Sequence, residues 1–143
     1  MKYERFEELP VWKDAIELAR RTYELTEHTV FKRRFSLRDQ IERASVSVSN
    51  NIAEGFERGT TKELLTFLYI ARGSAGEVRS MLCFIEILPV FADLKSEISN
   101  LKSAVESISR QLRAWADSLQ NSTIKGQRYL NDTKRIPAKA KKS

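Results

Sequence analysis

Thr60-Thr61-Lys62-Glu63-Leu64-Leu65-Thr66-Phe67-Leu68-Tyr69-Ile70-Ala71-Arg72-Gly73-Ser74-Ala75-Gly76-Glu77-Val78-Arg79-Ser80-Met81-Leu82-Cys83-Phe84-Ile85 is the stretch whose reading decides the fold. Thr60 with Glu63 three residues on is a capping-box pattern, in which a hydroxyl accepts from the amide of the third helical residue and the acid reaches back. Leu64, Leu68, Ala71, Ala75, Val78, Leu82 and Ile85 then recur at alternating spacings of four and three, so all seven positions of one helical seam are apolar. No proline interrupts the run before Pro89, which predicts one long helix stopped there. An apolar seam of that length is stable only against other helices, and the flanking sequence has to supply them.

It does so on both sides. Towards the N-terminus, Leu37, Ile41, Ala44 and Val48 form a second stripe, introduced by Ser36 and Asp39, a capping-box variant with the shorter acid, and ending near Glu57 before Gly59. Ser45-Val46-Ser47-Val48-Ser49 alternates with period two, but helical pattern flanks it on both sides, so it is read as helix. Further back, Val11, Ala15, Leu18, Thr22 and Leu25 predict a helix from about Pro10 to Thr29, with Pro10 suited to a first turn. Towards the C-terminus, Ile98, Leu101, Val105, Ile108, Leu112, Trp115 and Leu119 fill a fourth seam from about Ser96. Short connections favour antiparallel neighbours, giving an all-α, up-down-up-down four-helix bundle over residues 1–120.

The chain has 143 residues, enough for one domain with its own core. Its formal charge of +6 is unevenly distributed. Residues 1–120 hold 18 basic and 18 acidic side chains, whereas residues 121–143 hold Lys125, Arg128, Lys134, Arg135, Lys139, Lys141 and Lys142 against Asp132 alone. The pI near 9.6 therefore reports a basic tail on a neutral body. Past Gln120 the apolar period collapses, and the tail is expected to be disordered when free. The single cysteine, Cys83, cannot form an internal disulfide and lies in an apolar run where a buried thiol is expected. With an N-terminus lacking a long apolar core, that points to a reducing cytoplasm and no membrane.

Hydrolytic or transfer chemistry needs groups this chain lacks. His28 is the only histidine, placed at the expected end of the first helix, where it caps carbonyls or faces solvent rather than acting in catalysis. One Cys and one His cannot build a zinc cage. Gly73-Ser74-Ala75-Gly76 follows no strand and precedes no Gly-Lys-Ser/Thr, so it is not a phosphate loop. The expectation is no catalytic site, no metal, no cofactor and no small-molecule substrate.

Three features remain. Asn50, Asn51 and Glu54 in the second helix and Arg72, Gly73, Ser74 and Glu77 in the third interrupt apolar stripes. They read as a structural polar network in which Asn51, Glu54 and Arg72 satisfy one another beside Ser74, or as a surface that meets a partner or a phosphate. Gly73 and Gly76 each cost about 1 kcal/mol in a helix relative to alanine, and close helix contact is the expected offset. Lys32, Arg33, Arg34, Arg38 and Arg43 crowd the start of the second helix with only Asp39 and Glu42 opposing. They are either a solvated face paired as Arg38 with Glu42 and Asp39 with Arg43, or phosphate contacts repeated around an oligomer and assisted by the tail. Finally, Leu65, Phe67, Tyr69, Ile70, Phe84 and Ile87 lie off the third seam, an apolar surplus that predicts self-association.

Phe6-Glu7-Glu8-Leu9-Pro10-Val11-Trp12, Gln40-Ile41 with Arg43-Ala44, Asn51-Ile52-Ala53-Glu54-Gly55 and Phe67-Leu68-Tyr69-Ile70-Ala71-Arg72-Gly73-Ser74 appear in that order. Through these blocks, residues 6–119 resemble the bacterial four-helix-bundle proteins named for intervening sequences of 23S ribosomal RNA. That family is in turn related to the accessory variability determinant proteins of diversity-generating retroelements. The resemblance implies an antiparallel four-helix protomer, a ring-like homopentamer and no enzyme activity. Many members carry proline where this chain has Ser49, so the second helix is expected to be more continuous here. Function is expected to be a non-catalytic role with structured RNA or a ribonucleoprotein, contacted through Lys32, Arg33, Arg34, Arg38, Arg43 and the tail cations. The alternative is a scaffold whose ring docks a partner protein such as a reverse transcriptase.

Overall fold

The structure, a computed structural model, describes residues 3–121. A 3-10 turn at Phe6–Glu8 leads into α1 (Pro10–Thr26), α2 (Phe35–Glu57), α3 (Thr61–Glu86) and α4 (Lys95–Gln120), with no strand among the described residues. Each helix packs on the helix next to it in sequence, and α4 closes back on α1. Their antiparallel directions are fixed by side-chain pairs whose numbers run oppositely. Gln40 meets Glu77 and Ser47 meets Ser74 across α2 and α3, Arg79 meets Glu106 and Glu86 meets Lys102 across α3 and α4, and Asp14 meets Gln111 across α1 and α4. Among the described residues no helix is long and apolar enough to cross a membrane.

The seams hold with one drift. Every α3 seam residue from Leu64 to Ile85 is buried, and so are Val11, Ala15, Leu18, Thr22 and Leu25 of α1. Thr22 sits in that stripe because its hydroxyl donates to Leu18 O at 2.8 Å, leaving only its methyl to pack. In α2, Ile41, Ala44 and Val48 are buried and Leu37 is partly so. In α4 the inner face runs from Ile98 through Leu112 to Ala116, while Trp115 and Leu119 are only partly buried. A straight helix advances 3.6 residues per turn, so a strict 3.5 repeat drifts off the core after several turns, and the step to Ala116 restores contact.

Two helix starts behave differently. Thr60 caps α3, its Oγ1 accepting from the Glu63 amide at 3.2 Å. Ser36 does not cap α2; it already lies inside the helix, Arg34 occupies the cap position with no side-chain cap bond, and Asp39 is drawn to Arg43 at 3.1 Å. Helix α1 stops at Thr26, three residues earlier than its pattern suggested. Its Thr26 hydroxyl donates to Glu42 of α2 at 2.6 Å. Helix α2 runs unbroken through Ser49, whose hydroxyl donates to Val46 O. Gly59, at φ 93°, supplies the left-handed residue that turns the chain between α2 and α3.

The connections also build core. Phe31, between α1 and α2, and Phe91, between α3 and α4, are buried with ring centroids 4.9 Å apart, and together they plug one end of the bundle. Neither ring belongs to a helical seam, so periodicity alone passed over both.

Candidate functional site

The plugged end carries the first group of candidate residues. Residues 27–34 turn the chain from α1 into α2, and Lys32, Arg33 and Arg34 are exposed there. Arg34 is held in place, its Nη1 donating to Val30 O at 2.8 Å and its guanidinium lying 5.8 Å from the Phe91 ring centroid. Arg38 lies one turn into α2 with its guanidinium 5.8 Å from the centroid of Phe35, a ring 66% exposed. Among the described residues no ion pair includes Lys32, Arg33, Arg34 or Arg38. The expected Arg38–Glu42 pair does not form: Glu42 Oε2 accepts from Thr26, and the Arg38 guanidinium lies over the Phe35 ring. The expected Asp39–Arg43 pair does form.

Electrostatically this is an unusual helix start. The N-terminus of a helix carries a partial positive charge, so acids and acceptor caps are favoured there and cations are not. At α2 the first turn holds no acid, no side chain caps it, and cations stand before it and within it. Those like charges repel one another and the helix end, an arrangement that a bound anion would relieve.

The tail cations Lys125, Arg128, Lys134, Arg135, Lys139, Lys141 and Lys142 lie outside the described residues. Their point of departure is nonetheless placed, since α4 ends at Gln120 at the opposite end of the bundle from Lys32. A helix of 26 residues spans roughly 39 Å, so within one protomer the tail starts that far from the α2 entrance.

The polar cluster is divided rather than joined. Asn51 Nδ2 donates to Ser47 O and Oγ at 2.8 and 2.9 Å, and Ser47 Oγ lies 2.8 Å from Ser74 Oγ, which ties α2 to α3. Glu54 does not take part: it pairs with Arg58 at 3.0 Å on its own helix. Arg72 is also elsewhere, its Nε buried with no hydrogen-bond partner. The expectation that Asn51, Glu54 and Arg72 satisfy one another is therefore corrected, and the reason is angular. Arg72 and Ser74 are about 200° apart around the helix, so when Ser74 faces α2, Arg72 lies on the side where Arg79 meets Glu106 of α4.

The α3 glycines are corrected likewise. A Cβ built on Gly73 or Gly76 meets nothing within 4 Å, so neither lets another helix of this protomer approach. They lie on the outward face of α3 among Tyr69, Ile70, Phe84 and Ile87, which are 44%, 46%, 52% and 74% exposed. Cys83, expected to be buried, is exposed close by. Its place in an apolar run misled, because the run winds round to the solvent side.

Groups for catalysis remain scattered. His28 lies beyond the end of α1 and its Nε2 is 3.1 Å from Glu97 Oε1 on α4, a tertiary pair that no local pattern could reveal. Among the described residues no group of three or more His, Cys, Asp or Glu side chains could hold a metal ion. A shallow groove of about 340 Å³ over α1 is lined by Arg20, Tyr23, Glu24 and Glu27 and contains no nucleophile beside a base.

Compared with known families, residues 7–114 match the family model described as 23S rRNA-intervening sequence protein. No curated protein matches the chain.

Proposed function

Because the chain belongs to the 23S rRNA-intervening sequence protein family, we propose that it is a non-catalytic, self-associating bundle that binds structured RNA through the entrance of α2. The observation that carries this is the uncapped, acid-free start of α2 beside Lys32, Arg33, Arg34 and Arg38, which no carboxylate within the described residues neutralises. Phosphate is the anion that fits, since exposed guanidinium and ammonium groups with free helix amides recognise it by charge and by hydrogen bonds. One such site is modest, and an oligomer presenting several copies at once raises the effective affinity without new contacts. The outward face of α3 supplies the surface for that assembly: four exposed large apolar side chains beside two glycines on which nothing packs. A homopentameric ring is one such assembly.

The same face supports a second reading, in which the assembled bundle docks another protein and the cations serve solubility. Salt separates the two. Binding of a structured RNA by the full chain, measured from about 50 to 200 mM salt, is expected to weaken steeply, and Lys32→Glu with Arg33→Glu to abolish it at the upper end. A chain ending at Gln120 then apportions the slope between bundle and tail. No binding by either chain at low salt would end the RNA reading and leave the protein scaffold.

A further inference from the structure

Phe35 is an aromatic side chain that the core of the protomer does not use. It is the first residue of α2, two-thirds exposed, and is not part of the buried core, in contrast to Phe31 and Phe91 in the same end of the bundle. An exposed phenylalanine costs solubility and gains little from helix propensity at a first-turn position, where polar residues serve better. What surrounds it is basic. Arg38 lies over the ring, Arg34 precedes it directly, and Lys32 and Arg33 stand in the turn before.

We infer that Phe35 is a stacking platform for an unpaired nucleotide, so that the α2 entrance selects single-stranded segments of RNA, such as loops and bulges, over duplex. This deepens the RNA reading above and rests on it. A base is a flat, polarisable ring that stacks on an aromatic face or a guanidinium plane, and its own phosphate lies one sugar away. The geometry offers both halves. The Arg38 guanidinium at 5.8 Å steadies the ring from one side through its quadrupole, leaving exposed ring surface for a base. Lys32 and Arg33, unpaired and exposed, sit where flanking phosphates would run. In a duplex the bases are stacked on one another and their faces are not offered, so duplex RNA would meet only the cations. The charged residues therefore supply attraction to any RNA, and the ring supplies the preference.

The test compares the full chain with Phe35→Ala, Phe35→Trp and the pair Lys32→Ala with Arg33→Ala. The probes are a single-stranded RNA of mixed sequence and the same sequence annealed into duplex, each across a salt series. The expected result is tighter binding of the single strand by the unaltered chain. Phe35→Ala is expected to weaken single-strand binding roughly 5- to 100-fold at every salt concentration without changing the salt slope, to leave duplex binding as it was, and to be reversed by Phe35→Trp. The lysine–arginine pair is expected to reduce the slope for both probes. If Phe35→Ala weakens both probes equally or neither, while the charge pair still lowers the slope, the stacking inference falls and RNA binding through the cations stands. If the unaltered chain binds neither probe, both fall. Circular dichroism confirms the helical content of each variant, and a change in assembled mass on Phe35→Ala would overturn the inference by making the ring a contact between protein chains.

Discussion

Gly55 on α2 and the pair Gly73 and Gly76 on α3 are all helical glycines, yet they stand in opposite surroundings. A methyl group built on Gly55 would lie 2.7 Å from Phe67 Cβ and 3.2 Å from Leu64 Cδ1, whereas one built on either α3 glycine would meet open space. At Gly55 the missing side chain is what lets α2 and α3 close. Phe67 Cβ is fixed to the α3 backbone and cannot swing aside, so the space exists only if residue 55 has no side chain. At Gly73 and Gly76 nothing inside the protomer offsets the helix-propensity cost. The inward face of α3 is thus filled by the bundle itself, whereas the outward face is open in the protomer and is the surface proposed for a second copy.

That contrast can be broken at several points. The largest effect is expected from Gly55→Val, which forces α2 and α3 apart and should cost about 3 kcal/mol in denaturant unfolding; a neutral result would remove the claim of close approach. Next comes the double variant Gly73→Ala, Gly76→Ala. Alanine is the better helix former, so the isolated protomer should gain about 2 kcal/mol in total, while the assembled mass measured by light scattering should fall if copies pack on this face. Greater stability with unchanged mass would exclude the outward face of α3 as the assembly surface. Smaller in stability, but decisive for assembly, is Phe84→Ser with Ile87→Ser: both side chains are exposed, so unfolding should shift by less than about 0.5 kcal/mol and the change should again appear in mass.

The smallest expected effect lies on α1, where Arg20 reaches Glu17 and Glu24 across one face. Hydrogen bonding from Arg20 holds the Glu17 carboxyl below its ordinary range. A carboxyl lowered in the folded state stabilises it above the unfolded-state pKa and loses that contribution as pH falls through the lowered folded value. Arg20→Ala should therefore differ from the parent chain slightly near neutrality and converge with it in acid. The pair lies on the surface with both side chains more than half exposed, so thermal melts at pH 7 should lie within a degree or two of each other.

Much of the fold was legible because it rests on repetition. Seven apolar positions in α3 at helical spacing, framed by Thr60 and Pro89, leave one sensible reading, and the structure buries all of them. Boundaries were legible only where local chemistry was unambiguous. Thr60 caps α3, but Ser36 was drawn inside α2, because where the helix begins depends on how the turn through Phe31 packs. The candidate site was half legible. Composition marked Lys32, Arg33, Arg34 and Arg38 as a cluster, but that Glu42 answers to Thr26, sixteen residues before it and on another helix, rather than to Arg38 was not legible.

By itself, then, the sequence determined the number of helices, their order and most of the helical residues that face the core, because burial of an apolar face is encoded by spacing along a single chain. It also determined that the excess positive charge lies after residue 120 and that the body is neutral. Only the tertiary structure decided which helix each polar side chain answers to: that Ser47 links Asn51 to Ser74, that Glu54 turns to Arg58, that Gly55 and not Gly73 marks the close contact, and that Phe31 and Phe91 close one end. These are relations between surfaces brought together from distant parts of the chain. They depend on the rotation of each helix about its axis, and a shift of two residues, about 200°, is enough to send a side chain to a different neighbour.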